Sequence, residues 1–389
     1  MADLKLTEKE YEHILELKRD LHMHPETAHN EYRTSAKITE ILKSLPSVEL
    51  IGDQPETGVL ARIRGKEDGS EVLLRADLDA LPQTEEYESP WKSVNEGVMH
   101  ACGHDFHASS LAGAAMILNR LKQSGELRNT VDLVFQPAEE GTTGAKMLED
   151  MGLFEIMHPD VCFGMHNWPA AEGGKVLCHR DCVMAGKRSF EIRIIGSGGH
   201  GSMPHLNIDP IVCAAAVVQS LQTIVSRSTN PQDSLVVSVS MIEGGRPVNI
   251  VADDVRMVGT IRSLSDKALD GAIERLESIV SGTAASYGCG YEINWEEKIR
   301  PVVNSPDLYD FALRRVSETG AEAEEAKPSL ASEDFSMYLS HAPGFFYWVG
   351  SRMPGEEPED LHRPRFHTYD EAMKIASELL ARSAQEFKK

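Results

Sequence analysis

Positive charge is what this sequence lacks most: 39 Lys and Arg stand against 61 Asp and Glu, a formal net charge of −22. A nucleic-acid binder needs a basic footprint to seat phosphates. No Lys/Arg-rich run supplies one, so nucleic acid is excluded as a partner. Cysteine is scarce too, with six residues at 102, 162, 178, 182, 213 and 289. Scattered through a long chain, they exclude a disulfide framework and read as free thiols of a reducing compartment. No apolar run approaches the roughly 20 residues of a membrane span, and residues 1–8 show no basic region leading into an apolar stretch. A soluble, cytoplasmic protein without a membrane partner is expected. The rest is ordinary globular composition, 41% hydrophobic and 26% charged over 389 residues, long enough for two domains.

The chemistry concentrates in His100-Ala101-Cys102-Gly103-His104-Asp105-Phe106-His107. Imidazoles, a thiol and a carboxylate are the donors that borderline-soft divalent metals take. A polar loop feeding a helix would use the same residues for hydrogen bonding alone, so the reading turns on ligands arriving from elsewhere. A strand over 131–136 runs into Pro137-Ala138-Glu139-Glu140, whose adjacent glutamates point in different directions, so one can bind metal while the other acts as a base. A strand from Val161 delivers His166-Asn167-Trp168-Pro169. Three successive strand ends would thus present Cys102 with His104, Glu139 with Glu140, and His166, where open α/β sheets keep their sites. The strand over 71–77 ends in Asp77-Leu78-Asp79, which reads either as site carboxylates or as turn formers.

Thr7 and Glu10 form a capping-box pattern ahead of a first helix that Pro25 terminates. His22 and His24 beside it read as packing or supporting residues rather than ligands. Leu111, Ala114, Ala115, Leu118 and Leu121 describe an amphipathic helix closed by Gly125. Cys178-His179-Arg180-Asp181-Cys182 matches no zinc spacing and reads as loop. From Ser189 the texture changes: strand, helix (209–227), two strands, helix (266–285) and strand make a βαββαβ module. Within it Gly196-Ser197-Gly198-Gly199-His200-Gly201 satisfies G-x-G-x-x-G. Dinucleotide binding is rejected, because no helix opens at once and no acidic residue stands roughly twenty positions on. The glycines instead hold His200 on a tight turn.

Taken together, Leu21-His22-x-His24-Pro25-Glu26, Arg75-Ala76-Asp77-x-Asp79-Ala80-Leu81-Pro82, Met99 through Asp105, Gln136 through Glu140, Gly164-Met165-His166 and Gly198 through Gly201 form a distinctive series. Asn249, Gly259-Thr260-x-Arg262, Ser332-Glu333-Asp334-Phe335 and Leu361-His362-x-Pro364-x-Phe366 complete it. The series resembles, nearly end to end and in order, the metallo-amidohydrolases that include aminoacylase, hippurate hydrolase and the auxin-conjugate hydrolases, relatives of the dinuclear zinc carboxypeptidases.

The resemblance implies an α/β fold with a zinc-exopeptidase-like catalytic domain, its mixed central sheet flanked by helices. An inserted ferredoxin-like lid and dimerisation domain would occupy 187–296, between catalytic segments 1–186 and 297–389. It implies two divalent ions per subunit, zinc or manganese, held by Cys102, His104, Glu140, His166 and His362, with Cys102 in the bridging place. Glu139 would be the general base, Asp79 would orient a ligand, and His200 would reach the partner subunit's site to stabilise the oxyanion. Asn249 and Arg262 would hold the substrate carboxylate. His367 competes with His362 as last ligand, and the L-H-x-P-x-F frame favours His362. The implied activity is cleavage of an N-acyl amino acid to a carboxylic acid and a free amino acid, in a homodimer or higher homo-oligomer. A dipeptidase or carboxypeptidase, an N-acetyl-diaminopimelate deacetylase, and a non-catalytic metal-binding scaffold are the alternatives.

Overall fold

Short apolar runs bounded by turn residues become the strands of one large sheet. In the computed structural model, which describes residues 3–389, the chain divides into two units. The first runs through Val183 and resumes over Val303–Lys327 and Asp334–Lys389; the second is Met184–Val302 with Pro328–Glu333.

Unit 1 holds an eight-stranded sheet. Four parallel strands form its middle, in the order Thr130–Gln136, Glu71–Asp77, Val161–Glu172, Gly344–Arg352. Antiparallel partners flank them, Val59–Ile63 on one side and Lys175–Cys178 on the other, so the sheet is mixed. The inner strands are buried on both faces, which is why they read as continuous apolar runs. The helix His104–Gln123 lies against the strands and between the helices Glu8–Met23 and Ala372–Glu386. Here the structure corrects the amphipathic reading: nearly every residue from His104 to Leu121 is buried. Ala, Gly and Ser make this possible; a Cβ on Gly113 would lie 2.4 Å from Ser377 Oγ. The capping box forms as expected, with Glu10 N donating to Thr7 Oγ1 (3.2 Å) and Thr7 N to Glu10 Oε2 (2.8 Å).

Unit 2 is an antiparallel four-stranded sheet in the order Leu235–Gly244, Asp254–Ser263, Gly186–Ile195, Gly290–Trp295. The helices Pro210–Thr223 and Asp266–Tyr287 pack on it, giving the βαββαβ arrangement. Residues 210–228 are long and apolar enough by composition to cross a membrane, contrary to the expectation that no run approaches that length. One face has a core role, since Cys213, Ala214, Val217 and Leu221 recur at helical spacing and pack with Phe190, Ile194 and Leu276, while Ile211, Val212 and Val225 on the rest of the span are exposed.

Two further expectations need revision. His166 is not at a strand end but midway along Val161–Glu172, paired in register with Trp348. Cys102 and His104 come from the long loop after Asp77 and the first residue of a helix, not from a strand end. The turn after the Thr130–Gln136 strand does deliver Glu139 and Glu140, and it is tightly closed. A Cβ on Gly144 would sit 1.7 Å from Pro137 O, a backbone atom that cannot swing aside. Gly144→Ala is therefore expected to lower stability by about 1–3 kcal/mol, read as a lower Tm by calorimetry; an unchanged Tm would show that this turn yields freely.

Candidate active site

Asp79 organises the site from behind. Its Oδ1 lies 3.2 Å from His104 Nδ1 and accepts from Glu139 N at 3.0 Å, while Oδ2 accepts from Glu140 N at 2.9 Å. With its proton directed at Asp79 from Nδ1, His104 presents the Nε2 lone pair to the opposite side. That Nε2 is buried with no hydrogen-bond partner and lies 4.0 Å from Glu140 Oε1. Glu140 Oε1 in turn lies 3.2 Å from His362 Nε2, and Cys102 Sγ lies 3.3 Å from His166 Nε2.

Of five groups of neighbouring donors among the described residues, two share one atom, the Cys102 sulfur. Ligand atoms of Cys102, His104 and His166 lie within 4.8 Å of one another, and so do those of Cys102, Glu140 and His362. Glu139 joins His104 and Glu140 in a third such set. His104 Nε2 and Glu140 Oε1 are buried without a hydrogen-bond partner, and such groups are costly unless a cation is shared. The electrostatics agree. Burial opposes the charged form of His104, yet Asp77, Asp79 and Glu140 lift its pKa to about 10, so without a cation Nε2 carries a second proton, which a bound ion would displace to free the lone pair. Burial, reinforced by Glu140, Glu139 and Asp77, pushes the Cys102 thiol well up; a coordinated cation reverses that and deprotonates a thiol outright. The donor set fits a pair of divalent ions.

Backbone strain collects here. Ala138 (φ +54°) and His362 (φ +61°) both adopt the left-handed region that favours glycine. The surroundings hold them: Ala138 N donates to Glu31 Oε1 at 2.8 Å, and His362 N to Ala101 O at 2.8 Å. Phe366 packs with Met99 and Ala101 to seat the same loop.

The remaining imidazoles lie elsewhere. His22 is buried between Asp105 (2.8 Å) and Glu85 (3.1 Å), and His24 Nδ1 bonds Asp20 O. His100 is buried against His22, and burial pushes its pKa down to about 3. His367 stacks on Tyr87 and pairs with Glu356 at 3.1 Å, apart from the ligand sets. Cys178 ends a strand and Cys182 begins another, with 179–181 as loop.

Within unit 2, His200 and Asn249 come together: Gly199–His200 pairs with Ile250–Val251, and Gly201 N donates to Asn249 O at 2.8 Å. Arg262 does not join them. It pairs with Lys187 near one end of the sheet, donating to Leu330 O at 2.8 Å, whereas the His200 turn is tied to Asp253 at the other end. Eight residues of strand separate those ends, about 26 Å at the usual rise.

Sequence reading placed His107 in the donor-rich octet and Asn167 beside His166 but gave neither a role. His107 Nδ1 lies 2.6 Å from Asp77 Oδ1, and its Nε2 accepts from Asn167 N at 2.8 Å. The available signal was its spacing, three residues after His104 and so on the same helical face. Asp77 is no turn former: it is fully buried and also bonds Arg75 at 2.8 Å.

The model of peptidase family M20/M25/M40 matches residues 73–386. The N-acetylcysteine deacetylase of Bacillus subtilis (strain 168) is 36% identical over 371 residues, covering 95% of this chain and 96% of the relative. Thermostable carboxypeptidase 2 of Saccharolobus solfataricus is 38% identical over 344 residues, covering 87% and 86%. The crystal structure of the Bacillus subtilis YXEP protein, a dinuclear metal-binding peptidase of the M20 family, superposes with a TM-score of 0.84 at 34% identity over 98% and 99% of the two chains.

Asp79→Ala is expected to weaken divalent metal binding about 10–100-fold, measured by competition with a chromogenic chelator. Wild-type affinity in a folded variant would show that His104 needs no such support.

Proposed function

Because this chain belongs to peptidase family M20/M25/M40 and is a hydrolytic enzyme, we propose that it cleaves N-acyl amino acids to a carboxylic acid and a free amino acid. One observation carries this: two donor sets that share Cys102, with Glu139 beside them. Cys102, His104 and His166 would hold one divalent ion, and Cys102, Glu140 and His362 a second. The shared thiolate favours zinc over manganese. When bound, such ions polarise an amide carbonyl and lower the pKa of water. Glu139 takes the proton as water adds to the amide carbon, and returns it to the nitrogen as the C–N bond breaks. A metal-binding scaffold would have no use for that base.

His200 donates to the developing oxyanion, and Arg262 and Asn249 hold the substrate carboxylate, the guanidinium by a bidentate pair. Since His200 and Asn249 sit at the opposite end of their sheet from Arg262, these groups serve one substrate only if they come from two subunits. The surface of unit 2 supports a homodimer: Leu235–Gly244 is an unpaired sheet edge, and Ile211, Val212, Val225 and Ile242 are exposed. Six free thiols agree with a cytoplasmic setting.

The test is turnover of N-acetyl, N-benzoyl and long-chain acyl amino acids, N-acetyl-diaminopimelate and dipeptides, before and after chelation. Metal-dependent release of an amino acid from the acyl substrates is expected, and preference for dipeptides would favour a peptidase instead. Glu139→Ala should retain metal by elemental analysis while losing about 10²–10⁴-fold in kcat; metal loss in that variant would mean the two glutamates are exchanged.

His200→Ala should assemble normally and lose about 10²–10³-fold in kcat. Mixing it with Glu139→Ala protein should recover roughly a quarter of wild-type activity, since half of exchanged dimers are mixed and each has one complete site. No recovery on mixing, with exchange shown by mass spectrometry, would place His200 in its own subunit's site.

A further inference from the structure

We propose that Asn167 is a positioning residue that sets the Cys102-Gly103-His104 turn and the His166 ring for metal binding. The proposal rests on the metal reading above and adds a residue that no ligand set includes. Asn167 is fully buried, and every polar group it has is engaged. Its Nδ2 donates to Cys102 O at 2.5 Å and lies 3.0 Å from His107 Nε2. Its Oδ1 accepts from Ser351 Oγ at 3.0 Å, and its N donates to His107 Nε2 at 2.8 Å. Its carbonyl lies 2.6 Å from His166 Nδ1.

Each contact has a consequence for a ligand. The bond from Nδ2 pins the carbonyl of the residue that carries the thiol. Gly103 follows at φ +86°, and a Cβ there would fall 2.3 Å from Nδ2, so the amide fills the space that a side chain on this turn would need. With the Nδ1 proton of His166 given to the Asn167 carbonyl, the Nε2 lone pair faces Cys102 Sγ. His107 accepts from Asn167 at Nε2, so its proton is on Nδ1 and directed at Asp77. Asp77 bonds Arg75, which fixes the whole chain to the sheet. Asn167 therefore orients one ligand through its side chain and another through its backbone.

The experiment is titration of metal-free protein with Co²⁺, following the thiolate-to-cobalt charge-transfer absorption. Asn167→Leu keeps the shape and removes the donors. It is expected to bind Co²⁺ about 10–100-fold more weakly, with a weaker or shifted band per bound ion. If the residue only stabilises the fold, the Tm falls while affinity and band of the folded protein stay at wild-type values; that result overturns the proposal. Should Asn167→Leu not fold, Ser351→Ala decides, since it removes only the hydroxyl that fixes the amide. Severalfold weaker Co²⁺ binding supports the proposal, and wild-type affinity overturns it. Absence of the band in wild-type protein would overturn the metal reading itself, and this inference with it.

Discussion

Two oxygens of one carboxylate decide where the reactive groups stand. Asp79 accepts from His104 Nδ1 and from the backbone N–H groups of both Glu139 and Glu140. It thereby fixes the tautomer of one imidazole and the path of a turn some sixty residues further along the chain. That path is unfavourable by itself, because Ala138 must adopt a left-handed conformation that costs on the order of 1–3 kcal/mol. Paired N–H groups satisfied by one buried acceptor offset that cost, since leaving them unpaired would cost about as much. Asp79 belongs to none of the neighbouring donor groups, yet the geometry of those groups follows from it.

A second buried charge keeps the sheet ends in step. Arg75 bonds Gln136 at 3.0 Å, Asp77 at 2.8 Å and Asp334 at 2.7 Å, joining the ends of two parallel strands to a segment distant in sequence. Buried ion pairs seldom add net stability, but removing one partner leaves a stranded charge. In this protein the arrangement holds Asp77 ionised: burial alone would raise its pKa, but His104, His107 and Arg75 hold it well below the usual carboxylate range. The acceptor on which His107 depends is thus kept available.

Much of this could be read from the amino-acid order. The inner strands announced themselves by unbroken apolar runs, and the βαββαβ unit by its change of periodicity. The glutamate pair was legible because it directly follows such a run. Other features left no local trace. Helix His104–Gln123 repeats its large apolar residues as a surface helix does, and only the small residues between them allow burial all round. The in-register place of His166 depends on Trp348, and the Pro328–Glu333 return to unit 2 on no periodicity at all. Asn167 was invisible as a functional residue, because an amide's role depends on four partners brought together by folding.

The sheet also dictates an order of events during biosynthesis. Strand Val161–Glu172 pairs in parallel with Gly344–Arg352, which leaves the ribosome only after all of unit 2, Pro328–Glu333 included, has been made. Until then one edge of the growing sheet has no neighbour, a surface that invites association with other chains. His362 emerges later still. Helix Ala372–Glu386, which covers one side of His104–Gln123, is made after all of these, so the donor set and this face of the core are both completed only as synthesis ends.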